Sequence, residues 1–210
     1  MAKNFPSLAF TAAIKAMQEK LGSRKSYARL EKETYVDGLT RHEIAFIADR
    51  DSFYMATIGE NGYPYIQHRG GPKGFVKVLD TKKIGFIDFS GNMQYISVGN
   101  IQTNNNVSLI MVDYPSRTRL KILAKAMIIE LKDDPALYQQ LDLPGYKFKP
   151  ERMLILDVEA YDWNCPQHIT PRYTLEEIEA AFATQVNQIQ EMENEINHLK
   201  ATLSTHGIKP

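Results

Sequence analysis

Between Ser52 and Tyr161 the sequence offers seven short runs of strand character, and most connections between them are too short to hold a helix. This spacing constrains the fold most, because parallel neighbours need a crossover of a dozen or more residues whereas antiparallel neighbours are joined by tight turns. The runs are Phe53–Ile58, Tyr63–His68, Phe75–Leu79, Ile84–Phe89, Val107–Asp113, Leu120–Glu130 and Met153–Tyr161, separated by clusters of Gly, Pro, Asn and Asp. Glu60-Asn61-Gly62 links the first two, and Asn-Gly supplies the positive φ of a hairpin turn. An antiparallel sheet with this many strands tends to curl into a barrel that removes its edges. The expected class is mainly β with flanking helices.

The flanking helices announce themselves by period and caps. Phe10, Ile14, Met17 and Leu21 fall at helical spacing ahead of Gly22, which predicts a helix over Thr11–Leu21. Thr40 and Glu43 have capping-box spacing before Ile44-Ala45-Phe46-Ile47. Two helical insertions interrupt the strands, one over Met93–Gly99 and one starting at Asp134, where an Asp cap precedes Pro135. Thr174 and Glu177 form a further capping pair, after which Leu175, Ile178, Phe182, Ile189, Met192, Ile196, Leu199 and Leu203 alternate three and four residues apart. This is a heptad seam, with Gln185 where an apolar residue is expected. The predicted organisation is a barrel domain over residues 1–172 and a coiled-coil-like helix and tail over 173–210, with a dimer contact favoured over an intramolecular one for the seam.

Composition removes several functional classes. Lys plus Arg and Asp plus Glu are both 25, so no net field points to nucleic acid or an anionic membrane. No stretch approaches the roughly 18 consecutive apolar residues of a membrane span, and the opening Met1-Ala2-Lys3-Asn4-Phe5-Pro6 has no apolar leader core. Cys165 is the single cysteine, which excludes an intramolecular disulfide and suggests a reducing compartment, so a cytoplasmic location is expected. The five histidines never pair at metal-ligand spacing, and no metal is assigned. Dinucleotide, Walker, nucleophile-elbow and zincin motifs are all missing from the sequence.

Three polar constellations remain, each beside a strand end. Gln67-His68-Arg69-Gly70-Gly71-Pro72-Lys73-Gly74-Phe75 combines close-approach glycines with two cations suited to a phosphate, or to a solvated loop. Phe89-Ser90-Gly91-Asn92-Met93-Gln94-Tyr95-Ile96-Ser97-Val98-Gly99-Asn100 is rich in small donors where a helix begins, which suits either an anion or a capped loop. Arg117-Thr118-Arg119-Leu120-Lys121 alternates three cations, predicting one basic strand face or a solvated edge. Together they suit a mononucleotide whose phosphate is held by side-chain cations.

The run from Ser52 to Lys125 resembles the flavin-binding core of the pyridoxamine 5'-phosphate oxidase-related family of FMN-binding split barrels. The resemblance lies in the Gln67–Phe75 loop, in Phe86-Ile87-Asp88-Phe89-Ser90-Gly91-Asn92, in Gln94-Tyr95-Ile96-Ser97-Val98-Gly99-Asn100 and in Arg117-Thr118-Arg119-Leu120-Lys121-Ile122. Asp162-Trp163-Asn164-Cys165-Pro166-Gln167-His168-Ile169-Thr170-Pro171-Arg172 resembles a signature of one branch of that family. The resemblance implies an antiparallel split β-barrel homodimer with FMN at the interface. It makes Arg69, Lys73, Ser97, Asn100, Arg117 and Arg119 candidate phosphate and ribityl contacts, and sets Gln67, Asp88, Phe89, Ser90 and Asn92 near the flavin ring.

In the same light, Trp163 and Gln167 become candidate flavin neighbours. His168 is the candidate catalytic residue, near the ring of a partner's FMN, and Arg172 is poised for an anionic group. The chain lacks the Arg-x-His motif that true pyridoxamine phosphate oxidases carry near the C-terminus, so vitamin B6 oxidation is not expected. The implied function is FMN-dependent oxidation or reduction of a small molecule, and the alternative is a noncatalytic flavin-binding or sensing protein whose helix engages a partner.

Overall fold

The computed structural model describes residues 4–33, 37–164 and 166–206, so Cys165 lies outside the described residues. They form two compact units that divide between Ile169 and Thr170. The first holds one sheet of seven strands: β1 (Ser52–Ile58), β2 (Pro64–Gly70), β3 (Lys77–Asp80), β4 (Lys83–Phe89), β5 (Asn106–Asp113), β6 (Thr118–Glu130) and β7 (Pro150–Asn164). Their order is β2-β1-β5-β6-β7-β4-β3, and every pairing is antiparallel, as short connections require. Gly62 takes the left-handed φ of 80° in the β1–β2 turn, and its N–H donates to the Gly59 carbonyl at 2.8 Å.

The sheet curls on itself. Phe53 on β1 and Phe86 on β4 have three strands between them in the sheet order, yet their rings meet edge to face at 5.3 Å. Phe75 stacks on Phe53 at 5.7 Å from the segment before β3, so it belongs to the core rather than to the strand predicted to begin there. Met55, Ile84, Met111, Leu120, Ile122, Leu154 and Leu156 complete the same interior. Each such fully buried side chain contributes roughly 1.5–3 kcal/mol.

The curl leaves a split. No ladder joins β2 to β4, but Arg69 on β2 forms an ion pair with Asp88 on β4. Asp88 also receives Arg152 at 2.7 Å, from the residue directly opposite it on β7. Outside the barrel, Ile87, Leu141, Met153 and Ile155 form a smaller core beneath α6 (Pro135–Leu141). That close approach needs Gly85, where a Cβ would stand 2.7 Å from Ile155 Cδ1.

Four helices precede the sheet: α1 (Phe5–Ala9), α2 (Ala12–Lys20), α3 (Arg24–Glu33) and α4 (Arg41–Ala48). The reciprocal Thr40–Glu43 capping box starts α4, and Asp134 caps α6 by accepting from the Leu137 N–H at 2.9 Å. The insertion predicted over Met93–Gly99 forms later, as α5 (Ile96–Thr103). Met93 and Tyr95 sit at φ 59° and 53°, and a helix cannot run through left-handed residues. The second unit carries α7 (Leu175–Thr205), 31 residues begun by the Thr174–Glu177 capping box. Among the described residues, no helix is long and apolar enough to cross a membrane.

Removing one member of a buried ion cluster leaves the others desolvated and unpaired. Asp88→Ala is therefore expected to destabilise the first unit by about 3–5 kcal/mol in urea unfolding, and an unchanged midpoint would show that the split does not depend on it.

Candidate functional site

Strand alternation aims three β2 side chains into the barrel. Tyr65, Gln67 and Arg69 pair with Thr57, Met55 and Phe53, all buried on the inner face of β1. Ile66 and His68 consequently face outward, and His68 packs its ring edge on Tyr54 at 5.3 Å. Asp88 and Phe89 come from the end of β4, Asn92 and Tyr95 from the loop before α5, Ser97 from α5 itself and Arg152 from β7, and with Gln67 and Arg69 they line a cavity of about 210 Å³.

The cavity wall is polar and tightly cross-linked. The Ser97 hydroxyl donates to Gln67 Oε1 at 2.7 Å, fixing the amide so that its NH2 group remains the side available to a ligand. The Arg152 guanidinium lies 5.1 Å from the Tyr95 ring centroid, a cation–π contact made possible by the left-handed turn at Tyr95. Burial alone would lower the Arg152 pKa, but the neighbouring Asp88 and Glu151 carboxylates outweigh it and raise it. The Arg69 Nε is buried and has no hydrogen-bond partner among the described residues. Buried N–H groups are seldom left so.

The candidate residues divide between this cavity and other places. Gln67, Arg69, Asp88, Phe89, Asn92 and Ser97 meet in it. Ser90 stands next to it, with its N–H on the Lys149 carbonyl at 2.9 Å. Lys73 is exposed and lies 3.5 Å from Asp49, so it does not join Arg69. Asn100 donates to the Thr57 hydroxyl at 3.0 Å and ties α5 to β1.

The predicted three-cation strand face is only partly formed. Arg117 lies before β6 in a turn, at φ 56°. Arg119 and Lys121 do alternate with the buried Leu120 and Ile122, which puts them on the outer face, opposite to Arg69. Arg119 Nε is the second buried guanidine nitrogen with no partner among the described residues, and Lys121 pairs with Asp162 at 2.8 Å. Gln167 and His168 are exposed, with His168 at φ 62°, and Arg172 belongs to the second unit.

Trp163 lies in a different cavity. Phe5, Leu30, Thr40, Glu43, Val158, Tyr161 and Trp163 are among the residues enclosing about 460 Å³ between the N-terminal helices and β7. The indole Nε1 donates to Glu43 Oε1 at 2.6 Å, and the ring packs against Phe46 and His42. Glu43 is only 4% exposed. Burial pushes its carboxyl up, but hydrogen bonds from Thr40 and Trp163 outweigh burial and hold it below the ordinary range. Burial, reinforced by the Glu43 charge and hydrogen bond, pushes the Tyr161 phenol up to about 12.

Sequence reasoning missed Arg152. It lies at the edge of an ordinary strand run, and only the long-range β4–β7 register sets it opposite Asp88.

Residues 39–154, more than half of the chain, match the family pyridoxamine 5'-phosphate oxidase. The chain belongs to that family. No curated protein matches the sequence. Among solved structures, this pyridoxamine 5'-phosphate oxidase family member is similar to HupZ of Group A Streptococcus, at 18% identity and TM-score 0.49, covering 64% of this chain and 100% of that one. A proposed pyridoxamine 5'-phosphate oxidase from Lactobacillus delbrueckii is 23% identical at TM-score 0.47, over 60% of this chain and 95% of its own. An FMN-binding protein from Syntrophomonas wolfei is 12% identical at TM-score 0.45, over 71% and 97%. The strand order and curl described above are the split-barrel fold of the pyridoxamine 5'-phosphate oxidase family.

The Glu43 network makes a pH-dependent contribution of known sign. A carboxyl held below its unfolded value of 4.5 adds stability that is complete above that pH and is lost as the pH falls through the folded value. Glu43→Gln is expected to cost about 1–3 kcal/mol at neutral pH, with the difference from wild type shrinking as unfolding is measured at progressively lower pH below that value. A difference that stays constant with pH would mean that the charge of Glu43 plays no part.

Proposed function

We propose that this chain is an FMN-binding flavoprotein that oxidises or reduces a small organic molecule. Family membership supports the flavin, and one structural observation carries the assignment to a site: six of the candidate contacts, spread over the sequence from Gln67 to Ser97, converge on one polar cavity that holds a buried arginine whose Nε has no hydrogen-bond partner among the described residues. The donor set fits a flavin mononucleotide. Arg69 offers a guanidinium N–H to an anionic oxygen, the Gln67 amide offers hydrogen bonds to ring or ribityl atoms, and Phe89 and Tyr95 offer flat apolar surface.

Bound FMN would supply the two-electron chemistry, and the chain would supply orientation and hydrogen bonds. Asp88 holds Arg69 and Arg152 at fixed positions, so the cationic groups need not reorganise when an anion arrives. Ser97 fixes the Gln67 amide in one orientation. The cavity of about 210 Å³ is smaller than the roughly 300–1,000 Å³ that encloses a drug-sized ligand. A second protomer completing the site is consistent with that size, and it would give Arg119, His168 and Arg172, which do not line the cavity, a route to a flavin. The substrate class is a small molecule, and neither nucleic acid nor membrane is part of this reading.

Titration of the apoprotein with FMN, followed by quenching of flavin fluorescence, tests the reading. Arg69→Ala is expected to weaken FMN about ten- to a hundredfold, while Lys73→Ala, whose ammonium is exposed beside Asp49, should bind like wild type. Equal affinity in wild type and a folded Arg69→Ala protein would remove Arg69 from the site. Anaerobic mixing with NADH or NADPH and then an acceptor panel separates an oxidoreductase, which bleaches and recovers, from a flavin carrier, which does not.

A further inference from the structure

Helix α7 has 31 residues and no buried side chain. Its length is about 46 Å at 1.5 Å per residue, and its apolar seam is exposed throughout, from 37% at Leu203 to 70% at Leu175. A long helix with an uncovered apolar stripe gains stability only when that stripe is covered. The stripe is narrow and strictly heptad. Leu175, Phe182, Ile189, Ile196 and Leu203 occupy one core position (a), and Ile178, Gln185, Met192 and Leu199 the other (d). Ile196 and Leu199 follow the Ile-at-a, Leu-at-d pattern of two-stranded parallel pairs, whereas Leu175 and Ile178 reverse it, so the choice of partner geometry falls to the polar position.

We propose that α7 pairs with α7 of a second copy of this chain as a parallel, in-register, two-stranded coiled coil, with Gln185 setting the register. Gln185 decides the geometry. The Gln185 amide can donate to the Phe182 and Ala181 carbonyls of its own helix, but in an antiparallel pair every d residue packs opposite an a residue, and all five a residues here are apolar, so nothing on the facing helix could pair with it in any antiparallel register. A parallel pair shifted by one heptad sets Gln185 opposite Ile178 or Met192, with the same defect. Only the parallel in-register pair brings Gln185 against its own counterpart, where each amide can donate to and accept from the other.

The flanking positions agree with that register. A parallel pair brings g against the e position five residues later on the other helix. Glu195 then meets Lys200 with opposite charge, Gln188 meets Glu193 as donor and acceptor, and Ala181 meets Val186, extending the apolar seam beside Gln185. No like-charged pair arises at these positions. A homodimer of this kind also explains why Val186, outside the seam, is apolar and 60% exposed in the single chain.

Disulfide trapping in the full chain tests the arrangement separately from any dimer made by the barrel. In a Cys165→Ser background, Ile196→Cys at core position a is compared with Asn194→Cys on the outer face of the same turn, under mild oxidation with glutathione. A parallel in-register pair holds the two copies of residue 196 within the roughly 4.4–6.8 Å Cα separation of a disulfide. The expected result is that Ile196→Cys runs as a covalent dimer on a non-reducing gel while Asn194→Cys stays monomeric. Leu199→Cys gives the same comparison if Ile196→Cys is poorly folded. No covalent dimer at either core position, or equal trapping at Asn194, would overturn the proposal.

Discussion

Asp88 is the residue on which the two halves of this structure depend. A curled sheet whose end strands do not hydrogen-bond to one another must be held shut by other contacts, and here a buried carboxylate joins the Phe53–Phe75–Phe86 packing, reaching Arg69 across the split and Arg152 on the adjacent strand. A desolvated charge cluster is weak evidence for net stability, because hydrophobic residues of the same volume could stabilise the fold equally well. Its presence at the mouth of the cavity fits a second role. On the proposed function, charges that are already desolvated and fixed by one another would give a preorganised anion site.

The chemistry of the site follows from β alternation more than from loop composition. Because Phe53, Met55 and Thr57 point inward, their β2 partners Arg69, Gln67 and Tyr65 must also point inward, and the polar groups are carried to the end of an apolar barrel. The same rule sends Arg119 to the outer face. A flavin held by both arginines would therefore have to involve more than one face of one protomer, which is the physical reason to seek a second copy of the chain in the complete site.

Features set by local physics were legible in the sequence. The Asn61-Gly62 turn, the capping boxes at Thr40–Glu43 and Thr174–Glu177, and the Asp134-Pro135 helix start each depend on a few adjacent residues and occur where expected. Features set by distant partners were not. Helix α3 has only Tyr27, Ala28 and Leu30 as apolar residues among charged and polar ones, and it is held in part by Lys15 and Arg24 converging on Glu31. Arg152 gains its meaning from a strand pairing 64 residues away, and Trp163 from a bond to Glu43, 120 residues away, which diverts it from the Arg69 cavity to the N-terminal one. The start of α5 is not legible in the sequence, because nothing in Tyr95 itself announces its left-handed backbone.

The central claim is that this barrel holds a flavin mononucleotide, and the protein purified without added cofactor addresses it most directly. Its visible spectrum and the mass of the small molecule released on denaturation should show flavin bands and FMN. A colourless protein that neither releases FMN nor takes it up on reconstitution would contradict the account.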